Sequence, residues 1–437
     1  MTETVLLVGG GGREHAIARA LADDCDLYAC AGNRNPGIAT LADGFTTIDE
    51  TDTDAVVDYA ETVGATAAVI GPEAPLEAGL ADDLDAAGVY AFGPHADEAR
   101  IETDKAWQRR FMREHDVPGC PDFEVFDDVD AACEYVEKYD GDVAVKPTGL
   151  TGGKGVRVTG DQLTKDEATD YVRESDWDEW VVEERLVGEE FTIQTLVANG
   201  EVRATPAVQD HKRAYEGDEG PNTGGMGSYS DASDALPFME LSDYEEAVSV
   251  LEATVEALPE YKGVLYGQFM LTADGIKVVE FNARFGDPEA MNTLPVMETS
   301  LLDVIVAARE GESLPELTFS GQATVCKYGV PEGYPTDPSA GTKLTLDDES
   351  VAAAADDRAG EALLFYASVD ERDDGIYTTT SRSFAVVGIA DTIAGAESIA
   401  EDALAGAPDE GIRIRHDVGT EALVRSRIDH VEELRGE

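Results

Sequence analysis

The chain has 437 residues, 91 acidic against 32 basic side chains, and a formal net charge of -59 at pH 7. A field of that sign repels phosphate, which excludes non-specific binding to nucleic acid or an anionic membrane surface. Disorder is excluded as well: 43% of the residues are apolar, enough for a sizeable core, and the length suits roughly two to four domains.

Only ten of the basic residues are Lys, and the first is Lys105. A chain so sparing of Lys is expected to keep it mainly where an ammonium is needed. The five cysteines, Cys25, Cys30, Cys120, Cys133 and Cys326, form no CxxC pair and have no His at metal-ligand spacing. They read as buried thiols in a reducing compartment. No apolar run is long enough to span a membrane. No basic stretch precedes the first apolar run, so no signal peptide is expected and the location should be cytoplasmic.

Residues 4–8 read as a buried parallel strand, followed by four glycines and a helix from about 13 to 22. Further apolar runs at 27–30, 67–70 and 89–92 alternate with helical stretches. This is an open, doubly wound α/β sheet over roughly the first hundred residues. A helix over 104–114 opens a second region. Its strands fall at 143–146, 156–158, 180–184, 189–197, 265–271 and 276–281, the last two joined by an Ala-Asp-Gly turn at 273–275. A third region from about 321 has strand-like runs at 323–328, 363–368, 376–379 and 384–389 and a helix over 392–404, and reads as an α+β cap.

Several clusters could carry chemistry. The turn from Gly9 to Gly12 can offer backbone N–H groups and a helix start to an anion. It fails the dinucleotide fingerprint, because the position of the third glycine is Glu14. Arg13 opposes the helix dipole and so is expected to meet an anion. From Lys146 to Gly155, a strand ends in Lys and is followed by Gly149, Gly152, Gly153, Lys154 and Gly155. Such a loop can cradle phosphate oxygens, although no Ser or Thr follows Lys154 and it is not a Walker loop. Strand alternation puts Glu280 and Asn282 on one face, a hard-oxygen pair suited to Mg²⁺ with substrate phosphates. Gln268 on the preceding strand could add an oxygen, and Arg284 a cation for a carboxylate or phosphate. Residues 209–213 hold Asp210, His211, Lys212 and Arg213 together, close before a second glycine loop at 222–227. His211 could act as a base, and either cluster alone could be a surface loop.

Together, 11–15 (Gly-Gly-Arg-Glu-His), 71–76 (Gly-Pro-Glu-Ala-Pro-Leu), 209–213, 222–227 and 280–289 resemble the phosphoribosylamine–glycine ligase family of the ATP-grasp superfamily. Similar strings at 340–343 and 417–419 extend the resemblance into the C-terminal region. It implies a phosphoribosyl-binding α/β domain over 1–103, an ATP-grasp domain over 104–320 with a mobile lid at about 118–188, and a C-terminal domain over 321–437. It also implies ATP-dependent joining of glycine to 5-phosphoribosylamine through glycyl phosphate, in purine synthesis.

Carried over by motif, Lys105 and Lys146 would contact ATP phosphates, under the loop carrying Gly149, Gly152, Gly153, Lys154 and Gly155. Glu183, Glu184 and Leu186 would hold adenine and Glu190 the ribose. Glu280, Asn282 and Gln268 would bind Mg²⁺ or Mn²⁺. Arg284, Asp287 and Lys212 would serve the chemistry. Asp210, His211, Asn222, Thr223, Gly224, Gly225, Met226 and Gly227 would line the glycine and phosphoribosylamine site. Gly11, Gly12, Arg13, Glu14, His15, Gly71, Pro72 and Glu73 would hold the phosphoribosyl part. A monomer is expected, with transient contacts to neighbouring pathway enzymes. The sequence departs from the commoner family pattern at 147–151, where Pro-Thr-Gly-Leu-Thr stands after the strand lysine. The competing readings are a related ATP-grasp ligase or carboxylase, a nicotinamide-dependent oxidoreductase and a non-catalytic nucleotide-binding regulator.

The acidity itself reads as adaptation to concentrated salt, as in a haloarchaeal cytoplasm. At 1 M salt the Debye length is about 3 Å, and at 0.1 M about 10 Å. Thermal unfolding measured across that range should shift to lower temperature as salt is removed, through self-repulsion; an unchanged midpoint would show that the charge has another cause.

Overall fold

The computed structural model describes residues 2–149, 155–356, 358–408 and 410–436. Thr4–Val8 forms the centre of a five-stranded parallel sheet, with Asp26–Ala31 and then Gly44–Thr47 on one side, and Ala67–Ile70 and then Tyr90–Phe92 on the other. Val5 to Val8 are fully buried, as a strand covered by helices on both faces requires. The chain reverses its direction of travel across the sheet between Thr4–Val8 and Ala67–Ile70. That switch point opens a crevice at the carboxyl ends of the two strands, where α/β sheets place their ligands. Gly9, with φ of +117°, turns the chain there in a conformation that favours glycine.

Asp104 starts the next helix, Lys105–Glu114, by accepting a hydrogen bond from the Trp107 N–H at 2.9 Å, as an N-cap should. Beyond it stands a small antiparallel sheet of Phe123–Phe126, Trp180–Glu184, Val143–Pro147 and Arg157–Val158. The helices Val129–Lys138 and Lys165–Glu174 cover it, and it has its own core around Val143, Val145, Val172 and Trp180.

The main sheet has ten strands. Its path runs Gly275–Asn282, Gly263–Thr272, Gly188–Ala198, Val208–Asp210, Gly227–Ser230, Ala323–Pro331, Phe384–Ala390 and Glu361–Tyr366, with Glu201–Ala204 and Ile412–Arg413 attached at its flanks. One continuous sheet therefore crosses from the second sequence region into the third, through the pairing of Gly227–Ser230 with Ala323–Pro331. Helix Ile393–Leu404 lies close on this sheet: a Cβ at Gly388 would come within 2.0 Å of the Ala396 carbonyl oxygen.

The closing helix Glu421–Arg435 has no strong sequence signal, because Leu423 and Val431 are its only buried residues. All five cysteines are free thiols. Among the described residues no helix is long and apolar enough to cross a membrane. Scarce Lys does not always mark a ligand site: Lys327 is fully buried and is held by Glu397 at 2.8 Å, by Glu401 and by the His416 carbonyl.

Candidate active site

The long hairpin of Gly263–Thr272 and Gly275–Asn282 carries the centre of the site. Its register sets Gln268 opposite Glu280 and Tyr266 opposite Asn282, and the neighbouring strand sets Thr192 opposite Gln268. The pairing slips between Gln268 and Phe269, so that Phe269 faces Val278 and Val279 is the extra residue. Such a bulge leaves a backbone group out of the ladder. Here the freed Val279 carbonyl accepts from Arg109 Nη2 at 2.8 Å and Lys146 Nζ at 3.2 Å.

The same two cations hold Glu183. Arg109 Nε donates to Glu183 Oε2 at 2.8 Å, and Lys146 is ion-paired with Glu183 Oε1. All three side chains are nearly inaccessible. Burial alone would raise the Glu183 carboxyl, but Arg109 and Lys146 hold it below the usual carboxylate range. Burial also lowers the Lys146 ammonium, with help from Arg109 and against Glu183. The triad joins the helix of residue 109, the small sheet and the central hairpin. Glu183, expected to hold adenine, thus faces the two cations. Glu184, at the end of the same strand, accepts from the Asp122 N–H at 3.0 Å. Lys105 Nζ donates to the Gly149 carbonyl at 2.8 Å. Gly152, Gly153 and Lys154 lie outside the described residues.

A cavity of about 420 Å³ opens beside this junction. It lies next to the switch-point crevice and is walled by Arg13, Pro72 and Glu73 from the segments that follow the first sheet's strands, Lys105 and Glu102 from neighbouring helices, Tyr266, Glu280 and Asn282 from the hairpin, Arg284, Asp287 and Glu289 after it, and Asp210, Lys212, Thr223, Gly224 and Arg382. Burial works against the Glu280 charge, but Lys212, Lys105, Lys146 and Arg284 together bring its carboxyl below the ordinary value. Arg284 is ion-paired with Glu102 at 2.8 Å and donates to Asn282 Oδ1 at 3.2 Å. Lys212 Nζ donates to Gln268 Oε1, while Gln268 Nε2 donates to Glu190 Oε2 at 2.6 Å.

The donor set suits Mg²⁺ held partly by a substrate. Glu280 and Asn282 offer two oxygens toward one cavity, and among the described residues no group of three or more His, Cys, Asp or Glu could hold an ion alone. That is the usual division for Mg²⁺, with one or two carboxylates and the remainder from phosphates and water. Gln268 is already engaged at both ends of its amide.

The two loops noted separately in the sequence are zipped together. Thr223 donates to the Lys212 carbonyl from both N–H and hydroxyl at 2.8 Å, and Met226 N–H to the His211 carbonyl at 2.8 Å. Asn222 pairs with Arg213 across a short ladder. Arg382 ties this loop to the turn after the hairpin. It donates to the carbonyls of Gly224, Gly225 and Asp287, pairs with Asp287 Oδ2 at 3.2 Å, and lies 4.6 Å from the Tyr328 ring centroid. The Asp287–Pro288 peptide is cis, and Tyr328 OH donates to Asp287 Oδ1 at 2.6 Å.

Other expected residues sit apart from the cavity. Glu14 fills the crevice between the two strand ends: its carboxylate accepts from the Gly11 N–H at 2.7 Å and Arg13 Nε at 2.6 Å, and a Cβ at Gly71 would come within 2.1 Å of it. The anion that Arg13 meets is therefore this carboxylate. Gly12 packs against Tyr328 and Met291. His15 is buried, accepts from the Tyr366 N–H at 3.0 Å and stacks on that ring. Burial, with Arg19 nearby, lowers its imidazole to about 3. His211 is likewise buried away from the cavity and lowered by burial to about 3, a poor base at neutral pH. Met226 is core. Sequence reasoning did not single out Glu102, Arg109, Tyr266, Glu289 or Arg382. Glu289 ends the motif that includes Arg284, and Glu102 and Arg109 flank Lys105, so those three had a local signal; nothing around Arg382 marks it.

Three family models match the chain in order: the phosphoribosylglycinamide synthetase N domain over 3–102, its ATP-grasp (A) domain over 103–290 and its C domain over 324–421. A phosphoribosylamine–glycine ligase of Methanocella arvoryzae is 51% identical over 99% of this chain and 100% of its own length. That of Methanosarcina barkeri is 50% identical over the same shares. Among solved structures, a Thermotoga maritima phosphoribosylamine–glycine ligase superposes with a TM-score of 0.79 at 24% identity, covering 95% of this chain and 99% of its own. The biotin carboxylase domain of a Hydrogenobacter thermophilus 2-oxoglutarate carboxylase, in complex with MgADP and bicarbonate, gives 0.72 at 16% identity, covering 100% and 96%. The last two likenesses concern the fold.

Arg109→Met should leave Glu183 buried with one cation where it now has two. A loss of about 3 kcal/mol in unfolding free energy is expected, measured as a lower denaturant midpoint at constant slope.

Proposed function

The chain belongs to the phosphoribosylglycinamide synthetase family, and on that footing we propose that it ligates glycine to 5-phosphoribosylamine at the expense of ATP, yielding glycinamide ribonucleotide, ADP and phosphate, as a step of purine synthesis in the cytoplasm. One observation carries the reading to this site: the cavity joins Lys105 and Glu280, which border the Lys146–Glu183 junction, to a second wall of acids and arginines contributed by the loops after the first sheet's strands and by the third region. A ligase of this kind needs both a phosphate-neutralising wall and an acceptor wall facing one volume.

A glycine carboxylate is a poor electrophile. Transfer of the γ-phosphoryl group gives glycyl phosphate, in which phosphate can leave. The amine nitrogen of phosphoribosylamine then attacks the carbonyl carbon, the C–O bond to phosphate breaks, phosphate departs with the bonding pair, and the nitrogen gives up one proton to the departing phosphate or to solvent. No protein nucleophile is required; the chain's work is positioning and charge stabilisation. Lys105 and Lys146 face the phosphates. Lys146 is held ready by Glu183 and the Val279 carbonyl, so little reorganisation accompanies the step. Glu280 and Asn282 would hold Mg²⁺ or Mn²⁺, which when bound neutralises phosphate charge. Arg284, Asp287 and Lys212 would orient the acyl group. The MgADP named for a structural neighbour supports nucleotide and Mg²⁺ use in this fold. The acidic surface supports adaptation to a salt-rich cytoplasm.

Incubation with ATP, Mg²⁺, glycine and fresh phosphoribosylamine in concentrated salt should release ADP only when glycine and the amine are both present. ADP release indifferent to glycine would overturn the reading. Chelation of divalent ions should abolish turnover, and Glu280→Gln should lower kcat/KM by about 100-fold.

A further inference from the structure

The segment that follows Lys212 is gripped along its length by the third region. Arg415 Nη1 donates to the Arg213 carbonyl at 3.2 Å, and Arg413 Nη1 donates to the Ala214 carbonyl. The Arg413 guanidinium lies 4.8 Å from the centroid of the Tyr215 ring. Glu216 Oε1 accepts from the His416 N–H at 3.3 Å, and the Gly217 N–H donates to Asp417 Oδ2 at 2.9 Å. Asp218 accepts from Arg415 Nη1 at 2.8 Å and is ion-paired with Arg427. Each of the consecutive residues 213–218 thus contacts residues 413–417 or Arg427.

Arg415 is the centre of this grip. It is fully buried, yet it does not line the cavity. Its Nε and Nη2 form a fork on Asp417 at 2.9 and 2.6 Å, while Nη1 serves Asp218 and the Arg213 carbonyl. A lysine cannot reproduce that planar, two-way contact. Apolar side chains of similar volume often stabilise a fold at least as well as a buried ion cluster; what the cluster adds here is direction. Asp218 has φ of +56°, a left-handed conformation that a residue other than glycine keeps where its surroundings fix it.

The gripped segment borders the site. Lys212, just before it, lines the cavity 3.9 Å from Glu280, and Thr223 closes the base of the hairpin on the Lys212 carbonyl. The Arg213 guanidinium reaches the small sheet, where Nη2 donates to Asp161 Oδ2 at 2.6 Å, shortly after the strand Arg157–Val158. That sheet carries Lys146 and Glu183, whose junction borders the cavity at Lys105 and Glu280. The small sheet is therefore attached at Glu183 through Arg109, and again at Asp161 through Arg213.

We propose that Arg415 is a positioning residue for the reaction: it fixes residues 213–218 as the abutment on which the small sheet docks through Asp161, and this docking keeps water from the acyl phosphate. The proposal rests on the ligase reading and goes beyond it. Glycyl phosphate has two fates. Attack by the amine gives product. Attack by water on the same carbonyl carbon breaks the same C–O bond, phosphate leaves with the bonding pair, the water protons pass to phosphate and solvent, and glycine is regenerated. ATP is then consumed without product. Excluding water suppresses this second fate, and a displaced abutment restores it.

The test is the ratio of ADP formed to glycinamide ribonucleotide formed, with ATP, Mg²⁺, glycine and fresh phosphoribosylamine in concentrated salt. It compares the parent chain with Arg415→Lys, Asp161→Asn, Arg213→Gln and Arg213→Lys. Arg415→Lys keeps the buried positive charge, and the side chains of Asp161 and Arg213 are partly exposed, so these variants should fold. The parent ratio should be about one. Arg415→Lys should raise it about two- to tenfold, and Asp161→Asn and Arg213→Gln about two- to fivefold. Arg213→Lys, which keeps a cation opposite Asp161, should return the parent value. Destabilisation alone would lower ADP and product together, so an unchanged ratio in Arg415→Lys or in Asp161→Asn overturns the proposal. If the parent releases no glycine-dependent ADP, the ligase reading fails separately, and hydrogen exchange still decides the docking: Arg415→Lys should speed it at least about twofold in both 213–218 and 157–163, and parent-like exchange in 157–163 overturns the proposal.

Discussion

The buried junction of Glu183 with Arg109 and Lys146 is the constraint on which the site depends. Three segments far apart in sequence meet at one carboxylate: a helix from the start of the second region, the interior strand Trp180–Glu184 of the small sheet and the strand that ends in the glycine loop. A buried carboxylate tolerates this only because two cations satisfy it, while carbonyls accept the cations' remaining N–H groups. The bulge at Val279 supplies one of those carbonyls. Lys146 consequently stands behind the cavity wall, beside Lys105 and Glu280, with its position already set.

The acceptor side is built differently, from loops fastened by one arginine. Arg382 comes from the third region, yet it closes the glycine loop at 224–225 and the Asp287 turn. The ten-stranded sheet brings this about: Gly227–Ser230 pairs with Ala323–Pro331, which pairs in turn with Phe384–Ala390, the strand that Arg382 precedes. The third region is thus structurally part of the site, although in sequence it reads as a cap.

The charge of the whole and the charge of the cavity obey different rules. Outside, acids stand in solvent and are screened by salt. Inside, Glu102, Glu183, Glu280 and Asp287 each have a named cation. A net -59 therefore says little about local field.

Much of the fold was legible because it depends on local order. Periodic apolar runs gave the parallel sheet, Asp104 marked a helix start, and the turn at 273–275 announced the hairpin that places Glu280 and Asn282 together. Turn chemistry and side-chain alternation act over a few residues, so sequence by itself determines them, along with the family that their combination resembles. Tertiary structure alone decided that Glu14 fills the crevice, that His15 and His211 are buried and neutral, that Glu183 faces cations, and that Arg382 reaches the acceptor wall. Each of these depends on which distant segment occupies the neighbouring space, and neither spacing nor composition encodes that contact until the sheets have closed.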